Sequence, residues 1–323
     1  MEGGGSPRRY FRLRSQGAAP WGESVIGVVS ANAPETRAFV GFSAHLRAAR
    51  IPVPRLYAFD VEAGLYLVED LGDLTLSERL ADWRAEGAAG LARANAAIDR
   101  SLQELAGFQV RGARGLDLSL CFDGTELGGE AFRTDLRLFL THYVPRFVLR
   151  PGPGPAVLAD LDRLVGRLDR LPRVHLCHRD FQARNIMWPH DSPVFIDYQG
   201  ARLGPLAYDL ASFLYSPDTG LAEAERAQPI AAYLRALEQE GVRQEREAFW
   251  RDLYAVVLVR RLQALGAYAR IAVAEGKPEY LEKIQPALAT LRELFRAGRF
   301  DLGLPALEQW LLAALAPEGQ ADR

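Results

Sequence analysis

Lysine is nearly missing from this chain. Of its 39 basic residues only Lys277 and Lys283 are lysines, and the other 37 are arginines. Any chemistry that needs a lysine ahead of residue 277 is excluded. Cysteine is scarce as well. Cys121 and Cys177 stand far apart, make neither a disulfide framework nor a zinc site, and read as small buried residues of a reducing compartment. No apolar run approaches the roughly 18 residues of a membrane-spanning helix. The stretch Met1-Glu2-Gly3-Gly4-Gly5-Ser6-Pro7-Arg8-Arg9 has no apolar core, so a secretory signal is not expected. With 41 acidic residues against the 39 basic ones, the net charge is −2, which excludes a strongly basic, nucleic-acid-coating surface. What remains is ordinary globular composition, 49% hydrophobic and 25% charged over 323 residues, enough for about two domains with their own cores. A cytoplasmic protein with neither a membrane nor a nucleic-acid partner is expected.

The first 70 residues read as strands around one helix. Arg8, Tyr10, Arg12 and Arg14 alternate with Arg9, Phe11 and Leu13, a period of two, and Val25-Ile26-Gly27-Val28-Val29 is a short β-branched run. Pro34-Glu35 opens a helix whose Phe39, Phe42, Leu46 and Ala49 recur at helical spacing. Residues 55–59 and 65–69 are strands joined by a turn at Gly64. After Gly72 helical periodicity dominates, over 91–110, 130–143, 157–171, 221–240, 246–275 and 279–296. The exception is 173–204, where Val174-His175-Leu176-Cys177 and Val194-Phe195-Ile196 look like the two arms of a hairpin. The expected domains are 1–70, rich in strands, and 71–323, mainly helical.

The exceptional stretch carries His178-Arg179-Asp180-Phe181-Gln182-Ala183-Arg184-Asn185, followed by Phe195-Ile196-Asp197-Tyr198-Gln199. Phosphoryl transfer from ATP requires a carboxylate to orient and deprotonate the attacking hydroxyl. It also requires hard oxygen ligands for Mg2+. The pattern H-R-D-x-x-x-x-N with a second Asp downstream supplies these groups in protein kinases. Asp180 and Asn185 have that spacing, and Asp197 ends the next apolar strand. A lone His-Arg-Asp would be as well explained by a turn in which Asp and Asn cap backbone groups. The Asn spacing, the second Asp and the preceding small β domain together favour the catalytic pattern.

These blocks, with Glu69-Asp70-Leu71-Gly72 and Gly204-Pro205-Leu206-Ala207-Tyr208-Asp209-Leu210, make the sequence resemble the aminoglycoside phosphotransferase and choline-kinase family over most of its length. The resemblance implies an α+β, bilobal, protein-kinase-like fold with a small β-rich N-lobe and a larger helical C-lobe, and an ATP- and Mg2+-dependent kinase. Within the family the chain looks most like the kinases that phosphorylate the anomeric hydroxyl of N-acetylmuramate and N-acetylglucosamine in cell-wall recycling. Arg8-Arg9-Tyr10-Phe11-Arg12, Asp197-Tyr198-Gln199 and Arg261-Leu262-Gln263-Ala264-Leu265-Gly266 carry that narrower likeness. It implies Asp180 as catalytic base, Asn185 and Asp197 as Mg2+ ligands, and Glu69, Asp70 and Leu71 as the adenine-binding hinge. Asp209 would brace the catalytic loop, with His178 supporting its backbone. A monomer acting on ATP and a small sugar is expected.

The sequence also departs from the pattern. Protein kinases hold ATP phosphates with a strand lysine paired to a helix glutamate. The strand at 25–29 has no lysine, and Glu35, near the expected helix position, lacks that partner. Arg9, Arg12 and Arg14 are the nearest substitute cations, and Ser6, after three glycines, is a candidate phosphate contact. A nucleotide-binding pseudokinase is the alternative that the missing lysine supports. For the acceptor, Arg184, Gln199, Arg202, Arg260, Arg261 and Gln263 are candidates, although Arg260 and Arg261 adjoin on a helix and are not both expected to face inward. Residues 251–300 hold nine basic and five acidic side chains. That balance suits a neutral or anionic acceptor better than a cationic aminoglycoside or choline, although a kinase of another small alcohol is the remaining alternative.

Overall fold

The computed structural model describes residues 8–148 and 151–315. Strands β1 (Arg9–Arg14), β2 (Ser24–Val29), β3 (Leu56–Asp60) and β4 (Leu65–Glu69) form one antiparallel sheet in the order β1-β2-β4-β3. Helix α1 (Ala33–Ala48) crosses between β2 and β3. The Asn32 side chain accepts the Glu35 amide at its start, and Pro34 occupies its first turn, where a missing N–H costs nothing. Phe39, Phe42 and Leu46 of α1 bury against Val28, Tyr66 and Val68 of the sheet. The period of two in β1 is present. Its apolar members, however, are the outward ones: Phe11 and Leu13 are 45% and 46% exposed. Arg8 and Tyr10 turn inward instead, toward charged groups described below.

The remainder is mainly helical. It contains α2 (Leu76–Ala85), α3 (Ala88–Arg111), α4 (Gly129–Leu138), α5 (Val144–Phe147) and α6 (Pro155–Asp169). These are followed by α7 (Ala207–Leu214), α8 (Ala227–Gln239), α9 (Arg246–Ala274), α10 (Ile284–Arg296) and α11 (Pro305–Ala314). Helix α2 was not among the expected elements, yet Thr75 and Glu78 form a reciprocal capping box at its start. A wide π-turn over Phe139–Tyr143 links α4 to α5. Helix α9 crosses that turn closely at Gly266, where a Cβ would lie 2.5 Å from the backbone of Leu138 and Phe139.

The hairpin expected between 174–177 and 194–196 does not form. Strand β5 (His175–Cys177) pairs with β8 (Arg202–Gly204), while β6 (Ile186–Met187) pairs with β7 (Val194–Phe195). The intervening residues supply their own strands, so each apolar run finds a partner other than the one its hydrophobicity suggests. Two narrow ribbons result, and the loops between them carry the polar residues of interest.

Candidate active site

Strand β5 sends Leu176 and Cys177 into the core, where both are fully buried, and the chain then turns sharply. Arg179 holds a φ of 75°, a left-handed conformation that a non-glycine residue keeps only when its surroundings dictate it. Asp209 of α7 provides that constraint. Fully buried, its carboxylate accepts the backbone N–H groups of His178 at 2.8 Å and Arg179 at 3.0 Å. Burial pushes the Asp209 carboxyl up, against the opposing pull of His178 and these amides. His178 itself is buried between Phe108 and Phe181, and its Nε2 lies 2.9 Å from the Ile196 carbonyl oxygen. It ties the loop to the segment before Asp197.

The turn delivers Asp180 to the rim of a cleft. Its Oδ1 accepts from Gln182 Nε2 at 2.6 Å, and its Oδ2 accepts from Asn185 Nδ2 at 2.9 Å. Asn185 Nδ2 also donates to the Asp180 carbonyl at 2.9 Å, so the amide nitrogen is committed and the amide oxygen is left for another partner. Asp197, at a left-handed φ of 66°, follows β7. Its Oδ1 accepts from Arg8 Nη2 at 2.5 Å and Gln199 Nε2 at 2.9 Å. Burial pushes the Asp197 carboxyl up, but Arg8 and Gln199 outweigh it and hold it below the usual carboxylate range. Asp180, Asn185 and Asp197 all line one cleft of about 870 Å3, a volume typical of small-molecule sites.

Arg8 is the residue that the sequence reading overlooked. Glu35 Oε1 of α1 lies 3.7 Å from Arg8 Nη2 and accepts from Gln199 Nε2 at 3.2 Å. Glu35 therefore has a cationic partner after all, and that cation also reaches Asp197. The signal was the inward member of the alternation in β1, one residue ahead of the first arginine proposed. Arg9 instead lies exposed on the outer face, 5.9 Å over the Phe11 ring, and Arg14 is exposed at the strand end. Arg12 is held by Asp70 at 2.7 Å and by Asp73 at 2.7 Å, so its charge is neutralised beside the hinge and it does not line the cleft. Ser6 lies outside the described residues.

Of Glu69, Asp70 and Leu71, the expected hinge, Glu69 and Leu71 line the cleft, next to the apolar walls Ile26, Val68, Met187 and Ile196. Asp70 turns away to Arg12 and to Ser24, whose hydroxyl donates to it at 2.7 Å. On the other side Arg184, Arg260, Arg261 and Gln263 line the cleft together. Both adjacent arginines thus reach it, because side chains of this length span the 100° between successive helix positions. Arg260 lies 4.8 Å over the Tyr208 ring and 3.5 Å from Asp135. Gln199 and Arg202, expected with them, do not line the cleft. Gln199 is drawn into the Asp197–Glu35 pair, and Arg202, beside β5, binds Asp123 at 2.6 Å. Tyr268, which also lines the cleft, was missed, although Arg261, Ala264, Tyr268 and Ile271 follow a helical spacing readable from the sequence.

Two carboxylates and an amide oxygen are the donor set of a hard divalent cation. Among the described residues no three His, Cys, Asp or Glu side chains cluster to hold a metal alone. A kinase-like sheet, a helical body and this oxygen-rich cleft between them define a phosphotransferase.

Comparison with known proteins agrees: the chain belongs to the phosphotransferase enzyme family, which it matches over residues 2–250. It is 28% identical over 313 residues to the N-acetylmuramate/N-acetylglucosamine kinase of Pseudomonas aeruginosa, covering 92% of this chain and 86% of that one. To the kinase of the same name from Pseudomonas putida it is 31% identical over 296 residues, covering 89% and 80%. Among solved structures it resembles choline kinase from Cryptosporidium parvum, with a TM-score of 0.60 at 12% identity, covering 96% of this chain and 92% of that one. It also resembles an amicoumacin kinase solved with AMP-PNP and Ca2+, with a TM-score of 0.58 at 14% identity, covering 95% and 90%. The protein-kinase-like bilobal fold expected from the motifs is the fold observed.

Proposed function

We propose that this chain is an ATP- and Mg2+-dependent kinase of amino sugars of the N-acetylmuramate and N-acetylglucosamine type, acting on the anomeric hydroxyl. The convergence of Asp180, Asn185 and Asp197 on one cleft, beside a wall of cationic side chains, carries the proposal. The names of the two Pseudomonas relatives support the choice of sugar.

Residues 1–70 form the nucleotide-binding domain and 71–323 the catalytic and acceptor domain. The backbone around Glu69 and Leu71 contacts adenine between the apolar walls. Asn185 and Asp197 would hold Mg2+, which would supply charge neutralisation for the phosphates. Arg8 supplies the cation that the absent lysine would otherwise provide. Asp180 orients the sugar hydroxyl and takes its proton as the sugar oxygen bonds to the γ-phosphorus and ADP leaves. An anomeric hydroxyl is more acidic than an ordinary alcohol, so a weakly basic carboxylate suffices. The rate gain comes mainly from positioning and charge stabilisation. Cationic acceptors such as choline fit poorly against Arg184, Arg260 and Arg261. Cys121 and Cys177, free and buried, suit a reducing cytoplasmic setting.

The test is a panel of amino sugars incubated with the purified protein, ATP and Mg2+ and read by mass spectrometry, alongside their methyl glycosides blocked at the anomeric oxygen. Phosphorylation of the free sugars and not the glycosides is expected. Phosphorylation of the glycosides, or of none of the sugars, would contradict the proposal.

A further inference from the structure

Arg261 is a buried cation with no salt bridge among the described residues. It is 5% exposed, and its Nε and Nη1 have no hydrogen-bond partner among the described residues. The other buried arginines described are each paired: Arg8 with Asp197, Arg202 with Asp123, and Arg226 with Glu223. Burial, with Arg260 and Arg226 nearby, pushes the Arg261 pKa down to about 10 against the opposing pull of Tyr268 and Asp218, so the group is still charged at neutral pH. An isolated desolvated guanidinium is costly, and a protein keeps one where a ligand completes it. Arg261 lines the cleft on the side of Tyr268 and Gln263. Its neighbours on that side are already engaged: Arg260 with Asp135, and Arg184 at 3.5 Å from both Asp180 and Asp218.

The ligand chemistry follows from the donor. A planar guanidinium with free N–H groups matches a carboxylate in a two-point fork. N-acetylmuramate differs from N-acetylglucosamine by a lactyl ether, whose carboxylate is the one anionic group of either sugar. We propose that Arg261 receives the carboxylate of an acidic amino-sugar acceptor and thereby sets the preference for the acidic over the neutral sugar. The inference rests on the amino-sugar reading given above.

Two arms test it on the full chain. In the first, calorimetry compares binding of N-acetylmuramate with that of its lactyl methyl ester, which needs neither turnover nor a variant. Tighter binding of the free acid by about tenfold is expected. Equal binding of acid and ester would overturn the inference whether or not the sugar is phosphorylated. In the second, steady-state kinetics compare wild type, Arg261→Gln and Arg261→Lys on N-acetylmuramate, N-acetylglucosamine and ATP. The acid-to-neutral ratio of kcat/KM should fall about tenfold in Arg261→Gln, through KM for the acid, and be partly restored by Arg261→Lys. An equal loss on both sugars, or a rise confined to KM for ATP, would assign Arg261 to the fold or to the nucleotide and overturn the inference. If wild type turns over neither sugar, the functional reading fails, and the acid–ester comparison repeated on Arg261→Gln still decides the role of Arg261: loss of the preference for the acid supports it, and an unchanged preference overturns it.

Discussion

Arg8 Nη2 lies 2.5 Å from Asp197 Oδ1 and 3.7 Å from Glu35 Oε1, so one arginine from the strand edge bridges α1 and the segment after β7. A strand cation paired to a helix glutamate is the arrangement that holds ATP phosphates in protein kinases, reached here by a different residue type from a different place on the sheet. Truncating Arg8 to Ala should lower kcat/KM by about 10²–10³-fold, the usual cost of one charge-stabilising donor. Arg8→Lys should recover part of that loss. Kinetics with ATP as the varied substrate checks this, and an unchanged Arg8→Ala enzyme would remove Arg8 from the site.

Asp209 makes a structural prediction. Replacing it with Ala leaves the buried N–H groups of His178 and Arg179 without acceptors. At 1–3 kcal/mol for each orphaned group, the loss should be about 2–6 kcal/mol, visible as a lower urea midpoint. Asp209→Asn retains an acceptor oxygen and should lose less.

The pH dependence follows from Asp197. Its carboxyl is held below the ordinary value of 3.8. A group depressed on folding contributes stability that is fully present above its unfolded pKa and is lost as pH falls through the folded one. The stability difference between wild type and Asp197→Asn should therefore be flat from neutral pH down to about 4 and shrink only below it. Thermal melts of both proteins across pH 3–7 provide the check. Shrinkage beginning near pH 6 would mean that the Arg8–Asp197 pair does not govern this carboxylate.

Gly266 should tolerate no side chain. A methyl group there meets the backbone of Leu138 and Phe139 at 2.5 Å, and backbone cannot move aside as a flexible side chain can. Gly266→Ala should cost about 2–3 kcal/mol. Because α9 also carries Arg261 and Gln263, the same change should raise KM for the acceptor more than KM for ATP. Denaturant unfolding and steady-state kinetics measure the two effects.

The grouping of Asp180, Asn185 and Asp197 on one cleft was readable because it depends on local spacing: four residues separate Asp180 from Asn185, and a buried strand precedes Asp197. The family resemblance, rather than spacing, pointed to Asp209, whose carboxylate holds the loop amides, and to residues 69–71, of which Glu69 and Leu71 line the cleft. What failed was long-range direction. Residues near Asp197 in sequence gave no hint that Gln199 would turn to Glu35, 164 positions away, or that Arg202 would turn to Asp123. Strands of two or three residues carry too little pattern to specify partners, so β5 and β7 were paired with each other rather than with β8 and β6. Arg8 was missed because Arg9, Arg12 and Arg14 of β1 were the expected cations, whereas the residue just before that strand is the one that turns into the cleft.

The most direct measurement is phosphoryl transfer from ATP to N-acetylmuramate and N-acetylglucosamine by wild type and Asp180→Asn, with nucleotide-induced thermal stabilisation recorded on the same samples. Wild type should phosphorylate the sugar, and Asp180→Asn should lose at least about 10²-fold in kcat while its melting temperature still rises with ATP and Mg2+. Full activity in Asp180→Asn would contradict the assignment of Asp180 as the base.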